Sequence, residues 1–346
     1  MNLIAQSLEH LAPFSASVTK LNILVVGDLI FDEYRYCSPV GTTTKAPVIS
    51  SIARGFEVML GGAAAVARHC SNFAGNVDLL TRLNKGDVQE FRRLLSAEVG
   101  GSGVNFFIED CSTTPRKVRY ISAGYPNTLN KEADFFKNNG LGQKLFEVSY
   151  LPEVSNNEDG RLRVPINFRD YDLVIVMDFG HGFLTQDYWC EIRSKARFVA
   201  LNVQTNSTNY GFNLVTKYKG ADLVCLDELE ARLACMDRDS EFDELFLKLR
   251  SRVDAKYICI TRGSEGLALG DDLNTKYEFP AVTEKVVDPV GAGDAVLSFV
   301  SMSVACGLPI DLIGKIASSA GAAACQIVGN RSSISIKDLQ NYLREC

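Results

Sequence analysis

Six short apolar runs constrain this chain more than anything else in it. They are Ile23-Leu-Val-Val26, Val77-Asp-Leu-Leu80, Leu173-Val-Ile-Val-Met177, Phe198-Val-Ala-Leu201, Leu223-Val-Cys-Leu226 and Tyr257-Ile-Cys-Ile260. A strand with one wet face alternates apolar and polar residues; these do not, so they read as strands buried on both faces. Helical stretches lie between them, at 62–73, 87–98, 187–196 and 242–253, and a mildly amphipathic segment through about Lys20 leads in. Such alternation implies an α/β fold with a doubly wound, mostly parallel sheet and ligands outside the carboxyl ends of its strands.

Two segments, about 33–58 and 114–136, break the pattern. They are polar, interrupted by Gly and Pro, and contain short alternations such as Val48-Ile-Ser-Ser-Ile52 and Lys117-Val-Arg-Tyr-Ile121. They are expected to form a small antiparallel β lid inserted in a single domain spanning 1–346, since no linker, repeat or low-complexity tract divides the chain. Asn156-Asn-Glu-Asp-Gly160 reads as a solvated loop.

Composition removes several function classes. The 36 basic and 42 acidic residues give a net charge of −6, without the basic footprint of a nucleic-acid binder. No apolar stretch is long enough to span a bilayer, and the N-terminus lacks a secretory apolar segment. Of the ten cysteines, Cys225, Cys259, Cys306 and Cys325 lie in apolar runs and no C-x-x-C pair occurs. Reduced thiols in the cytoplasm are therefore expected, rather than disulfides or zinc.

The chemistry is concentrated in Val286-Val-Asp-Pro-Val-Gly-Ala-Gly-Asp-Ala-Val-Leu-Ser298. Gly291 and Gly293 allow a sharp turn and close approach to a ligand, and an apolar helical run follows from Asp294 to about Cys306. The amides of Gly291, Ala292 and Gly293 would meet an anion at the positive end of that helix. A carboxylate there would repel phosphate unless the chemistry requires it. Phosphoryl transfer to a hydroxyl does, with Asp294 accepting the proton. Taken alone, the pattern equally suits an ordinary capped helix. A dinucleotide-binding fingerprint fails at Val296, and no Gly-x-x-x-x-Gly-Lys-Ser/Thr occurs. A second constellation adds weight: Asp28 and Asp32 follow the first strand and Gly61-Gly62 opens a helix. Carboxylates can accept paired hydrogen bonds from vicinal hydroxyls, which suits a sugar. No histidine triad or metal cluster can be assembled from His10, His69 and His181.

Gly27-Asp28…Asp32, Gly61-Gly62, Thr261-Arg-Gly263…Gly266 and Gly291-Ala-Gly-Asp294 follow the order and spacing of the ribokinase-like (PfkB) carbohydrate kinases, which the chain resembles from about Leu21 to Leu343. Val26-Gly-Asp-Leu-Ile-Phe-Asp-Glu-Tyr34, Lys45-Ala-Pro-Val48 and Asp178-Phe-Gly-His-Gly182 look most like the branch that phosphorylates D-glycero-D-manno-heptose 7-phosphate at C1 in ADP-heptose synthesis. The resemblance implies Asp294 as catalytic base and Gly291, Ala292 and Gly293 as the anion hole. It implies Asp28, Asp32, Gly61 and Gly62 at the sugar, with Lys117 and Arg119 near a substrate phosphate. Thr261, Gly263 and Gly266 would hold ATP, and Glu228 would organise Mg2+ through water. It also implies pairing of two lids into a homodimer. Members of that branch often continue into a nucleotidyltransferase; this sequence stops at Cys346, so that activity is expected to be supplied separately. Ala65 and Cys225 replace asparagines of the family pattern, His181 a lysine, Asn202 an aspartate, and Thr44-Lys45 a Pro-Glu pair. Two other expectations therefore stand beside a sugar-phosphate kinase. One is a kinase for an unphosphorylated sugar or nucleoside; the other is a weakly catalytic member that binds phosphosugar or nucleotide.

Overall fold

Strand β1 (Asn22–Gly27) explains the absence of alternation. Ile23 and Val25 enter one hydrophobic cluster, Leu24 and Val26 another, and all four are fully buried. Each such side chain stabilises the fold by roughly 1.5–3 kcal/mol relative to exposure, so the sheet needs helices on both faces. The computed structural model describes residues 3–98, 103–122, 142–152, 164–271, 273 and 275–343.

Helix α1 (Leu3–Val18) leads into β1, and after Asp28 the chain leaves for a long hairpin of β2 (Leu29–Thr42) and β3 (Ile49–Gly62). It returns through α2 (Ala63–Ser71), β4 (Asn76–Leu83), α3 (Val88–Glu98) and β5 (Val104–Asp110). A second excursion follows, β6 (Arg116–Ser122) and β7 (Gln143–Tyr150). The next units are β8 (Leu173–Asp178), α4 (Gln186–Lys195), β9 (Val199–Val203), β10 (Ala221–Asp227), α5 (Glu228–Cys235), α6 (Phe242–Arg252) and β11 (Ala255–Thr261). The hairpin β12 (Leu267–Gly270) and β13 (Lys276–Phe279) precedes α7 (Ala292–Ala305), α8 (Ile310–Ala324) and α9 (Ile336–Leu343).

The main sheet has the order β13-β12-β11-β10-β9-β8-β1-β4-β5 and is parallel except at β11/β12 and β12/β13. From β1 the chain builds outward to β4 and β5, and from β8 in the other direction. The crevice where the order reverses is where a doubly wound sheet holds its ligand. All six apolar runs fall in this sheet, within one residue of its strands.

A separate sheet of order β3-β2-β6-β7 forms the lid. Its outer pairs are antiparallel, but the central pair β2/β6 is parallel, unlike the wholly antiparallel lid expected. The lid also begins earlier, at Leu29, because β2 continues directly from the core strand. Strand β7 was not anticipated; its side chains are mostly exposed and impose no apolar period. The remainder of the expected second lid segment, 123–136, and the expected loop Asn156–Gly160 lie outside the described residues.

Candidate active site

Two cavities meet over the carboxyl ends of β9, β10 and β11. The first, about 270 Å³, is walled by Asp32, Lys117 and Arg119 of the lid, by Asn202 near the end of β9 and Gln204 just past it, and by Asp294. The second, about 490 Å³, is more apolar and is lined by Val282, Pro289, Val296 and Cys325 among others. Asp227, Thr261 and Gly293 line both, so the glycine turn forms the junction between a polar chamber and an apolar one.

The turn is fixed by contact as well as by sequence. Gly291 has φ +89°, and a Cβ there would lie 2.3 Å from Asn330 Oδ1, so only glycine fits. The N–H groups of Gly291, Gly293 and Asp294 have no backbone acceptor among the described residues, whereas that of Ala292 is turned to Pro289 O at 3.3 Å. The free donors of this helix end are therefore those of Gly291, Gly293 and Asp294, a set shifted from the Gly291–Gly293 trio expected. Asp294 is buried, and Gln204 Nε2 donates weakly to its Oδ1 at 3.4 Å. Burial, then the charge of Asp32, push its carboxyl up to about 7, against the opposing effects of Gln204 and Lys117. A carboxylate near neutrality can take and release a proton at physiological pH.

The two lid cations differ. Arg119 donates to Asp32 Oδ1 at 2.5 Å and pairs with Glu147 at 2.9 Å, so its charge is already answered. Lys117, next but one along β6, lines the same chamber and has no ion-pair partner among the described residues. Its charge also helps keep His181 neutral: burial first, then Lys117, bring that imidazole down to about 4. His181 packs on Phe179, with ring planes 11° apart.

Asp32 and Gly62 line the polar chamber; Gly263, Gly266 and Ala292 line the apolar one. Gly61 and Asp28 line neither. Gly61 backs Asp32, whose Oδ2 would lie 2.3 Å from any Cβ there. Asp28 is buried, with Oδ2 accepting from the amides of Phe179 at 3.0 Å and His181 at 3.4 Å. Burial, then nearby Asp178, raise its carboxyl to about 7. It anchors the loop after β8, and the structure does not place it facing the chamber.

Glu228, expected to organise a metal, also faces elsewhere: it pairs with Arg232 at 2.6 Å and Arg262 at 3.4 Å. About half a turn of helix rotates the next acid, Glu230, into the polar chamber beside Asp227. These two form a capping box, Glu230 N–H to Asp227 Oδ1 at 2.7 Å and Asp227 N–H to Glu230 Oε2 at 3.0 Å. Burial, then Asp227, push the Glu230 carboxyl up to about 8. The signal for this pair was present in the sequence, an acid at the strand end followed three residues later by Glu. Gln204 and Asn330 had no comparable signal, since the chamber collects them from distant segments.

No group of three or more His, Cys, Asp and Glu side chains suited to a metal occurs among the described residues. The hard oxygens of Asp227 and Glu230 fit Mg2+ held through water and substrate phosphates, the usual habit of that ion.

Residues 190–337, which contain the glycine turn, match the model described as pfkB family carbohydrate kinase. The bifunctional protein HldE of Syntrophotalea carbinolica is 25% identical over 338 residues, covering 95% of this chain and 64% of that protein. HldE of Aliarcobacter butzleri is 28% identical over 320 residues, covering 91% of this chain and 62% of its own. The chain thus spans less than two thirds of the length of these relatives. Among solved structures, Arabidopsis thaliana ribokinase complexed with ribose and ATP superposes with a TM-score of 0.68 at 16% identity, covering 94% of this chain and 99% of that one. Phosphofructokinase-2 of Escherichia coli gives 0.69 at 14%, covering 93% and 98%. The segment holding the glycine turn, residues 190–337, thus matches the pfkB family carbohydrate kinases, and the chain as a whole has the fold of the solved ribokinase and phosphofructokinase-2.

Proposed function

We propose that the protein transfers the γ-phosphoryl group of ATP to a hydroxyl of a sugar that already carries a phosphate. The observation that carries this reading is the junction of the two cavities, with Asp294 and the free amides of the glycine turn between a polar and an apolar chamber. The sugar would occupy the polar chamber. The nucleotide would lie over Thr261, Gly263 and Gly266, its base against the apolar wall. Asp294 accepts the hydroxyl proton as the substrate oxygen bonds to the γ-phosphorus, and the bond from that phosphorus to the bridging oxygen breaks to release ADP. The amides of Gly291 and Gly293 stabilise the charge on the moving group. Mg2+, when bound, neutralises phosphate charge; Asp227 and Glu230 would hold it through water. Lys117 is the cation available for the substrate's own phosphate.

Within this class, a heptose 7-phosphate phosphorylated at C1 is the specific candidate suggested by the sequence resemblance. The exposed apolar face of the lid, with Phe56 at 69% and Phe146 at 56%, supports a homodimer formed through it. All nine cysteines among the described residues are free thiols, in keeping with a cytoplasmic setting. No helix among the described residues is long and apolar enough to cross a membrane.

The test is ATP consumption with Mg2+ against parallel panels of sugar phosphates, free sugars and nucleosides. Turnover confined to a phosphorylated sugar is expected. Turnover only with unphosphorylated acceptors would replace the substrate assignment. Binding of ATP without turnover on any panel would replace the kinase reading with a binding one.

A further inference from the structure

We infer that Lys144, on lid strand β7, is a positioning residue that couples the seating of the lid to the phosphate-binding turn through the buried carboxylate of Asp288. The inference rests on the kinase reading above, and its evidence lies outside the two cavities. Asp288 begins the turn, has no exposed surface, and binds four groups from four parts of the chain. Its Oδ1 accepts from Lys144 Nζ at 3.0 Å and from the Val290 amide at 3.2 Å. Its Oδ2 accepts from the Tyr34 hydroxyl at 2.7 Å and from the Gly329 amide at 2.8 Å. Two of these donors, Lys144 and Tyr34, belong to the lid. The other two set the backbone immediately before Gly291 and immediately before Asn330, whose side chain packs on Gly291.

Charge makes this arrangement more than a brace. Lys144 is the one cation paired with Asp288 among the described residues, and its own side chain is 38% exposed. A buried carboxylate is tolerable only when paired and hydrogen-bonded. Lifting β7 would remove the cation and leave Asp288 with neutral donors only. The turn is therefore best held when the lid is seated, and the lid is best seated when the turn is formed. Because β6, which carries Lys117 and Arg119, pairs directly with β7, contacts made to a substrate in the polar chamber reach Asp288 through one strand pairing.

Three variants test this by steady-state kinetics with the acceptor found in the panel above, and by calorimetry of ATP alone. Lys144→Met keeps the length of the side chain and removes its charge. It should lower kcat roughly 10- to 100-fold, the range expected when reacting groups are misplaced by about 1 Å. ATP affinity without acceptor should change less than about twofold, since Lys144 touches neither cavity. Lys144→Arg should recover most of the rate. In an Asp288→Asn background, Lys144→Met should have little further effect, because the pair acts as one unit. Wild-type kcat in Lys144→Met, or failure of Lys144→Arg to do better than Met, overturns the inference even if Asp288→Asn does not fold. Absence of turnover by the wild-type protein on every panel would instead sink the kinase reading beneath it.

Discussion

The main sheet and the lid sheet are built from strands of similar propensity and answer to different physics. In the main sheet, successive residues of β1 enter two separate hydrophobic clusters, and sequence alone marks the strand. In the lid, one face exposes Phe56, Phe146 and Tyr150, while the other carries charges with distant partners, Arg119 with Asp32 on β2 and Lys144 with Asp288 before the glycine turn. Burial writes itself into a sequence as a run of apolar residues, whereas an ion pair between distant strands leaves no local trace. The core supplies the frame and the proposed base; the lid supplies the charges proposed for recognition and coupling. Four experiments test that division.

The largest effect belongs to the core. Asp294→Asn preserves size and removes the basic oxygen, so kcat should fall by roughly 10²- to 10⁴-fold, with ATP affinity unchanged or slightly improved. The same group sets a pH dependence. Because its carboxyl titrates near 7, kcat/KM should rise with pH through about 7 as the base ionises. The stability consequence has the opposite direction. The folded value lies above the usual 3.8, so the contribution of this carboxyl is fully present below that value and is lost as pH rises through about 7. At pH 8 the wild-type fold holds a buried charge, and Asp294→Asn should raise the melting temperature there, by on the order of a few kcal/mol in stability. Below pH 3.8, where the carboxyl is protonated in both folded and unfolded states, the difference should nearly vanish. A variant with near-normal kcat would place the base elsewhere.

The second experiment compares two acids on α5. Glu230→Gln should raise the Mg2+ concentration needed for half-maximal rate by roughly 10- to 100-fold, the usual cost of removing a group that orients a metal's surroundings. Glu228→Gln should change it less than about twofold, because that side chain is committed to Arg232 and Arg262. Reversal of this order would restore Glu228 to the metal role suggested by family pattern.

The lid's two cations come third. Lys117→Met should raise KM for a phosphorylated acceptor about tenfold, the equivalent of about 1.4 kcal/mol, and leave the melting temperature nearly unchanged. Arg119→Met should chiefly lose stability, by about 3–5 kcal/mol if Asp32 is left buried without its partner. Equal effects of the two on KM, with no difference in melting, would mean that the pairing with Asp32 does not set Arg119 apart.

The smallest effect on catalysis is expected at the outer face of the lid. Phe56→Ser with Phe146→Ser should shift the protein from dimer to monomer in light scattering while altering kcat only slightly. A wild-type protein that is already monomeric at tens of micromolar would remove the dimer.

Some of the site could be read directly and some could not. The glycine turn and Asp294 are contiguous, so the proposal about their chemistry needs only the local sequence. Asp32, Gly62 and Lys117 were recognisable by their place after β1, at α2 and on β6, and all three line the polar chamber. Asp28 was assigned to the sugar by the same reasoning, yet its carboxylate binds the backbone after β8, a partner 151 residues away that no pattern near Asp28 discloses. Glu228 stays out of the chamber for a more local reason. On a helix, two residues of separation turn a side chain to the opposite face, so the spacing of the acids could not say which one meets the chamber until the axis of α5 was known.

The sequence alone determined the class of fold and the sheet's double burial, and it located the glycine turn with the acid proposed as base. These depend on short-range pattern and on residues adjacent in the chain. What only the tertiary structure decided was which charges cancel. Arg119 is spent on Asp32, Lys117 has no ion-pair partner among the described residues, and Asp288 draws one lysine from the lid. Electrostatic pairing acts through space over a few ångströms, while the residues that pair are separated by up to 274 positions in the chain.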